Sequence, residues 1–238
     1  MQAIAQGIWA VNLGIANIGI LELPSGGLAL IDTGGNGSSA KILKALASKN
    51  WTLKDVKHIL ITHAHPDHIG DLEPLAAASG ATVWAHAKEA RVIRGLEPQK
   101  LPEDQTLSAF GRWMKRSVQS AQTKQIPVKG VVHQELQGAD NLESVMAGLS
   151  TIALPGHAPG QLGYFIQSSR TLFGGDCCVN ILGLRAPIAA FTPDMPQAKR
   201  SLAVAAKLEP LNLVIGHGAP ILGVAAGALE RLAQKLRN

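Results

Sequence analysis

The chain has 238 residues, 46% hydrophobic and 16% charged, which supplies a substantial core and excludes the disordered and fibrous classes. Its formal charge is +5 and its pI near 9.4, but the lysines and arginines are scattered and form no basic run, so no nucleic-acid partner is expected. No stretch approaches the ~18 apolar residues of a bilayer-spanning helix, and the amino terminus lacks a basic segment leading into an apolar one. Neither a membrane nor export is therefore expected, and one domain over 1–238 is the default at this length.

The first third alternates apolar runs with turn residues, IGILEL, PSGG and LALIDTGG, and predicts a meander of strands. Residues 36–50 place Ile42, Leu43 and Leu46 at helical spacing, and VKHILIT then predicts a strand that ends in HAHPDH. One helix is predicted from about Asp67 to Gly80, followed by a strand at ATVWAH. The strand pattern lapses in a variable connector, about 95–130. There Leu107, Phe110, Trp113, Met114 and Val118 share one helical face between Pro98, Pro102 and Pro127. Strands return at STIALPGH, QLGYFIQ, TLFGGD and LNLVIGHG, and helices are predicted from about Asp194 to Lys207 and from Ala225 to Leu236. This order suggests two related strand-and-helix halves, although no residue-level repeat links them.

Each of several apolar runs delivers a metal-ligand residue type at its carboxyl end: Asp32 after LALI, His63 after HILIT, His157 after IALPG, Asp176 after TLFGG and His217 after LVIG. In α/β folds that edge is where ligands bind, so these positions are expected to converge. Within HAHPDH, His63 and His65 are two apart, and extended backbone turns both imidazoles to one side. Pro66 prevents a helix from running back through them, and Asp67 and His68 follow on the turn into the helix. His63, His65 and His157 would then fill one site and Asp67, His68 and His217 a second, with Asp176 between them. Imidazole and carboxylate suit two divalent ions, zinc as the favoured metal with iron or manganese as alternatives. A water shared by such ions ionises near neutral pH.

The run THAHPDH (Thr62–His68), with LIDTG (Leu30–Gly34), PGHAPGQ around His157, GGD at Asp176 and GHG at His217, resembles the metallo-β-lactamase superfamily in motif and in order. The resemblance covers nearly the whole chain. It implies an α/β fold, an αββα sandwich of two mixed β-sheets flanked by helices, with a binuclear centre at one edge. It also implies that Asp32 supports the metal loop by hydrogen bonds. Of the branches, true metallo-β-lactamases usually lack an aspartate at the bridging position, where this chain has Asp176. Glyoxalase II enzymes share the ligands but carry a helical carboxyl-terminal domain, for which this chain ends too soon after His217. Acyl-homoserine lactonases place a tyrosine where Val179 stands, and the single tyrosine here is Tyr164. Persulfide dioxygenases carry a segment after the aspartate that is absent here, and flavodiiron proteins have a glutamate at the position of His65.

The expected activity is hydrolysis of an ester-like small molecule, a lactone or thioester, by a metal-bridging hydroxide, with Asp67 as the catalytic residue that orients it and relays its proton. A mononuclear iron-dependent sulfur oxidoreductase is the main alternative, with β-lactam or phosphodiester hydrolysis behind it. Phe110, Trp113 and Met114 read as core, as a homodimer face or as a wall over the substrate, the last being the assignment taken for the site. His58, His86 and His133 read as structural. Cys177 and Cys178, adjacent and unable to staple distant segments, read as packing residues and point to a cytoplasmic location.

Overall fold

The computed structural model describes residues 1–122 and 130–237, with the backbone alone for 118–122. Pro127 and the side chain of Val118, both invoked for the connector, lie outside the described residues. The chain opens with an antiparallel meander, β1 (Gln2–Ala5), β2 (Ile8–Asn12), β3 (Asn17–Glu22) and β4 (Leu28–Ile31). Helix α1 (Ser39–Ala47) leads to β5 (Val56–Leu60), which lies parallel to β4. Then come α2 (Pro66–Ile69), α3 (Leu72–Ser79), β6 (Thr82–His86), α4 (Ala87–Ile93), α5 (Ala109–Gln122) and β7 (Gln134–Leu136). The seven strands stand in sequence order in one sheet, the last four parallel.

A second sheet holds β8 (Leu149–Ala153), β9 (Leu162–Ile166) and β10 (Thr171–Phe173). After the ribbon β11 (Val179–Asn180) and β12 (Leu184–Arg185) and helix α6 (Met195–Lys207), β13 (Asn212–Val214) joins parallel to β10, and α7 (Ala225–Lys235) follows. Seven strands against four make the two halves unequal, so the suggested duplication is architectural at most.

Strand periodicity explains the layering. Ile18, Ile20, Leu28, Leu30 and Ile59 point outward and pack with Ile42 and Leu46 of α1, Leu72 and Leu75 of α3 and Ile93 of α4. Their alternates Leu21, Ile31 and Leu60 point inward and meet Leu162, Tyr164, Ile166 and Phe173 of the second sheet. The opposite face of that sheet, with Phe165, Leu172 and Leu213, is covered by Leu202 of α6 and Leu229 and Leu232 of α7. Both sheets are thus buried on two faces, which is why their strands read as unbroken apolar runs. Gly19 marks a close approach of the sheets: a Cβ there would sit 2.5 Å from the Phe173 ring. Tyr164, fully buried, donates its hydroxyl to the Ile61 carbonyl and is structural.

The single helix expected from Asp67 to Gly80 is two. The break falls at Gly70, whose Cα faces the Gly35–Asn36 backbone so closely that a Cβ would lie 2.2 Å from the Asn36 nitrogen. Asp71 then turns away to accept from the Gly37 and Ser39 backbone N–H groups and the Ser39 hydroxyl. The break fastens the metal-motif turn to the loop that follows Asp32.

Candidate metal centre

His63 and His65 leave β5 on extended backbone, and Pro66 at the first turn of α2 sets Asp67 and His68 on the other side of the turn. Three strand ends of the second sheet's half bring His157, Asp176 and His217 to the same edge. The donor atoms of His63, His65 and His157 lie within 4.8 Å of one another, as do those of His63, His68 and Asp176, and those of Asp67, His68 and His217. Asp176 touches both sets: its Oδ2 is 3.3 Å from His157 Nε2 and 3.1 Å from His217 Nε2, and its Oδ1 is 3.4 Å from His68 Nε2.

Four of the imidazoles have their outer nitrogen tied. His68 Nδ1 lies 2.7 Å from Asp32 Oδ2, and a carboxylate only accepts, so Nδ1 carries a proton and Nε2 is the nitrogen turned to the cluster. The Thr62 hydroxyl donates to the same Oδ2 at 2.7 Å, which leaves its oxygen to accept from His63 Nδ1 at 3.0 Å. The Thr192 hydroxyl donates to the Ile188 carbonyl and accepts from His157 Nδ1 at 3.1 Å, and His217 Nδ1 donates to the Ile15 carbonyl at 2.8 Å. His65 differs, turning Nδ1 to within 3.0 Å of His157 Nε2.

These residues fit metal ions. Among the described residues, His63 Nε2, His65 Nε2, His68 Nε2 and Asp176 Oδ1 are buried without a hydrogen-bond partner. A buried polar atom left unmade costs ~1–3 kcal/mol, so four in one cluster signal a group that the side chains are built to hold. Electrostatics divides the cluster. Burial lowers His63 well below the usual imidazole range, His65 to about 3 and His157 to about 4, each also lowered by neighbouring imidazoles, so all three are neutral at pH 7, the form in which an imidazole can bind a metal. Burial also works against a charged His68 and His217, but Asp176 and the other carboxylates outweigh it and raise His68 well above its ordinary value and His217 to about 10. Burial opposes the charge of Asp67, yet His68 and His217 hold it down at about 2. Asp176 stays well below the carboxylate range for the same reason.

Asp32, at a left-handed φ of 63°, uses both oxygens on the metal loop: Oδ1 accepts from Thr62 N–H at 2.8 Å and Oδ2 from Thr62 and His68. Gly216 is required beside His217, because a Cβ there would lie 2.0 Å from Asp176 Oδ1. Three supports carry no sequence motif. Asn17 donates to the Ile215 and Gly218 carbonyls and so clamps the His217 loop. Buried Glu89 accepts from Ala64 N–H at 2.9 Å and Gly160 N–H at 2.7 Å, joining the His63–His65 turn to the His157 loop. Thr192 holds His157. The signals are slight: a lone Asn opening an apolar strand, a Glu one turn before buried Ile93, and none for Thr192.

The other expected residues fall elsewhere. Phe110 and Trp113 stack at 5.7 Å on α5 and are 64% and 63% exposed, so neither is core, while Met114 is half-buried. Helix α5 packs on the turn Ala189–Phe191, next to Thr192. His58 accepts from the Trp84 indole, His133 from Val83 N–H and His86 from Lys88 N–H, three local structural roles. Cys177 and Cys178 are free thiols, both buried. No described helix is long and apolar enough to cross a membrane.

Residues 11–217 match the family model of the metallo-beta-lactamase superfamily. The chain is 30% identical over 241 residues to the probable metallo-hydrolase YflN of Bacillus subtilis (strain 168), covering 92% of this chain and 86% of that one. It is 29% identical over 138 residues to a hydroxyacylglutathione hydrolase of Rhodobacter capsulatus, covering 58% of this chain but 39% of the relative. Among solved structures, the metallo-beta-lactamase family protein TTHA1429 of Thermus thermophilus superposes with a TM-score of 0.71 at 25% identity, over 99% of this chain and 81% of that one. TTHA1623, solved in a di-iron-bound form, shares the fold with a TM-score of 0.69 at 23% identity, over 94% and 98%. The motif order, the layered sheets and these likenesses agree: the chain belongs to the metallo-β-lactamase superfamily and is a metallo-hydrolase.

Proposed function

We propose that the protein hydrolyses an ester-like carbonyl compound, a lactone or thioester, with two divalent ions held by His63, His65 and His157 on one side and Asp67, His68 and His217 on the other. Asp176 is the carboxylate shared between them. The observation that carries this reading is the set of inward imidazole nitrogens around Asp176, four with their outer nitrogens tied to oxygen. Such ions supply an ionised water near neutral pH and polarise the carbonyl under attack. Zinc is the favoured metal, and iron or manganese suits the same donors. The di-iron form of TTHA1623 supports the view that this fold accommodates an iron pair.

The chain's own residues have separable tasks. Asp67, 26% exposed and turned toward His217 at 3.3 Å, is positioned to orient the attacking water and to pass its proton outward. Asp32 fixes the His68 tautomer and the Thr62–His63 turn. Phe110, Trp113 and Met114 on α5 supply an apolar wall for the larger part of the substrate, a reading supported by the contact of α5 with the segment that precedes Thr192.

Metal analysis of protein purified without added metal, followed by a panel of lactones, thioesters, phosphodiesters and β-lactams, tests the reading. About two ions per chain with turnover of a lactone or thioester is the expected result. One iron per chain with oxygen consumption on sulfur compounds would replace it with the oxidoreductase reading.

A further inference from the structure

A pocket of about 250 Å³ opens beside the metal centre, with His65 as its inner wall. Val92 and Pro98 provide apolar wall, while Lys88, Arg91 and Lys100 bring positive charge. The two carboxylates on the same wall are already engaged. Glu97 holds the Arg91 guanidinium at 2.5 Å, and both oxygens of Glu89 accept backbone N–H groups. Lys88 and Lys100 are exposed, and their ammonium groups make neither ion pair nor hydrogen bond among the described residues, although the charge of Lys88 is felt by Glu89. A pocket lined by His65, with apolar sides and two ammonium groups that make no ion pair, is complementary to a chain that ends in an anion.

We infer that this pocket binds a free carboxylate of the substrate through Lys88 and Lys100, so that the compound cleaved is an acid carrying its carboxylate a few bonds from the scissile carbonyl. The inference rests on the hydrolase reading for what is cleaved, but not for what the pocket binds. A mobile point charge on a lysine suits a carboxylate that must leave with the product, whereas a bidentate arginine clamp would retain it.

Two measurements on metal-loaded protein test it. In the first, glutarate and pentanoate, acids of equal chain length, are titrated by calorimetry. Each can place one carboxylate at the metals, and glutarate alone offers a second to the lysines. Glutarate is expected to bind roughly tenfold tighter, and the advantage to disappear in Lys88→Ala/Lys100→Ala while surviving in the charge-matched Lys54→Ala/Lys199→Ala. Equal affinities in the unaltered protein, or an advantage that survives loss of both pocket lysines, would overturn the inference. In the second, the phenyl thioester of glutarate, with its free carboxylate, is compared with that of pentanoate. A roughly tenfold preference in kcat/KM, expressed in KM and collapsing in the pocket variant, is the expected result. Equal turnover of both thioesters without a glutarate advantage would remove the pocket assignment and leave the hydrolase reading intact. A glutarate advantage without turnover of any ester, thioester or lactone would do the reverse.

Discussion

On one side of Asp176 stand three imidazoles, His63, His65 and His157, which burial keeps neutral. On the other, His68 and His217 face Asp67 and, for His68, Asp32, and these carboxylates pull both imidazoles toward the charged form. The first half would bind a cation without first discharging a protonated imidazole. The second offers more negative charge but has protons to expel first. Under the proposed reading the same residue types would therefore make two sites of different pH response, and the difference would come from burial and from the placement of carboxylates.

The strongest test of that contrast removes the residue the halves share. Asp176→Ala should lower metal content toward one ion per chain and turnover by ~100-fold or more, with a much smaller change in melting temperature. Unchanged stoichiometry and rate would reject the bridging role. Asp32→Ala frees His68 Nδ1 and also releases Thr62, which holds His63, so it should act most on the second half: a loss of ~10–100-fold in affinity for one ion, seen by competitive chelation, with a smaller loss for the other.

Lowering the pH should separate the halves without mutation. His217, raised to about 10, is protonated throughout the neutral range, so a cation binding there displaces a proton. With His68 also pulled toward its charged form, affinity at that half should fall at least about tenfold for each pH unit from 8 to 5.5. His65 and His157, lowered to about 3 and 4, are already neutral over this window, and affinity at their half should stay nearly flat. Equal pH slopes for both ions would erase the distinction.

Smaller effects probe the supports. Glu89→Gln keeps one acceptor for the Ala64 and Gly160 N–H groups but sets an amide N–H against the other, so it should cost ~1–3 kcal/mol in denaturant unfolding. It should also weaken the ion at the His63, His65 and His157 half more than the other. Trp113→Ala should change stability by less than ~0.5 kcal/mol, since the ring is 63% exposed. It should weaken substrates with alkyl or aryl tails by ~1–3 kcal/mol, read from kcat/KM, and small esters little. Equal losses on both classes would take α5 away from the substrate.

Much of the architecture was legible because it is written in local periods. Unbroken apolar runs such as LALI announce strands buried on two faces, and the two-residue spacing of His63 and His65 sets both imidazoles on one side of an extended chain. A polar ligand type at the end of each apolar run, from Asp32 to His217, points to the strand-end edge where the structure gathers them. Less local features were hidden. The helix break at Gly70 depends on a close pass of the Asn36 backbone, and nothing in the run around it announces that neighbour.

By itself, then, the sequence determined the residue types, their order and the strand ends that deliver them, since these follow from side-chain periodicity and from Pro66. Only the tertiary structure decided which nitrogen of His217, His157 and His68 faces inward, because the partners that settle it, Ile15, Thr192 and Asp32, are 202, 35 and 36 residues away. It alone decided which histidines stay neutral. Burial and the nearness of carboxylates set that balance, and both arise when the two sheets close over one edge.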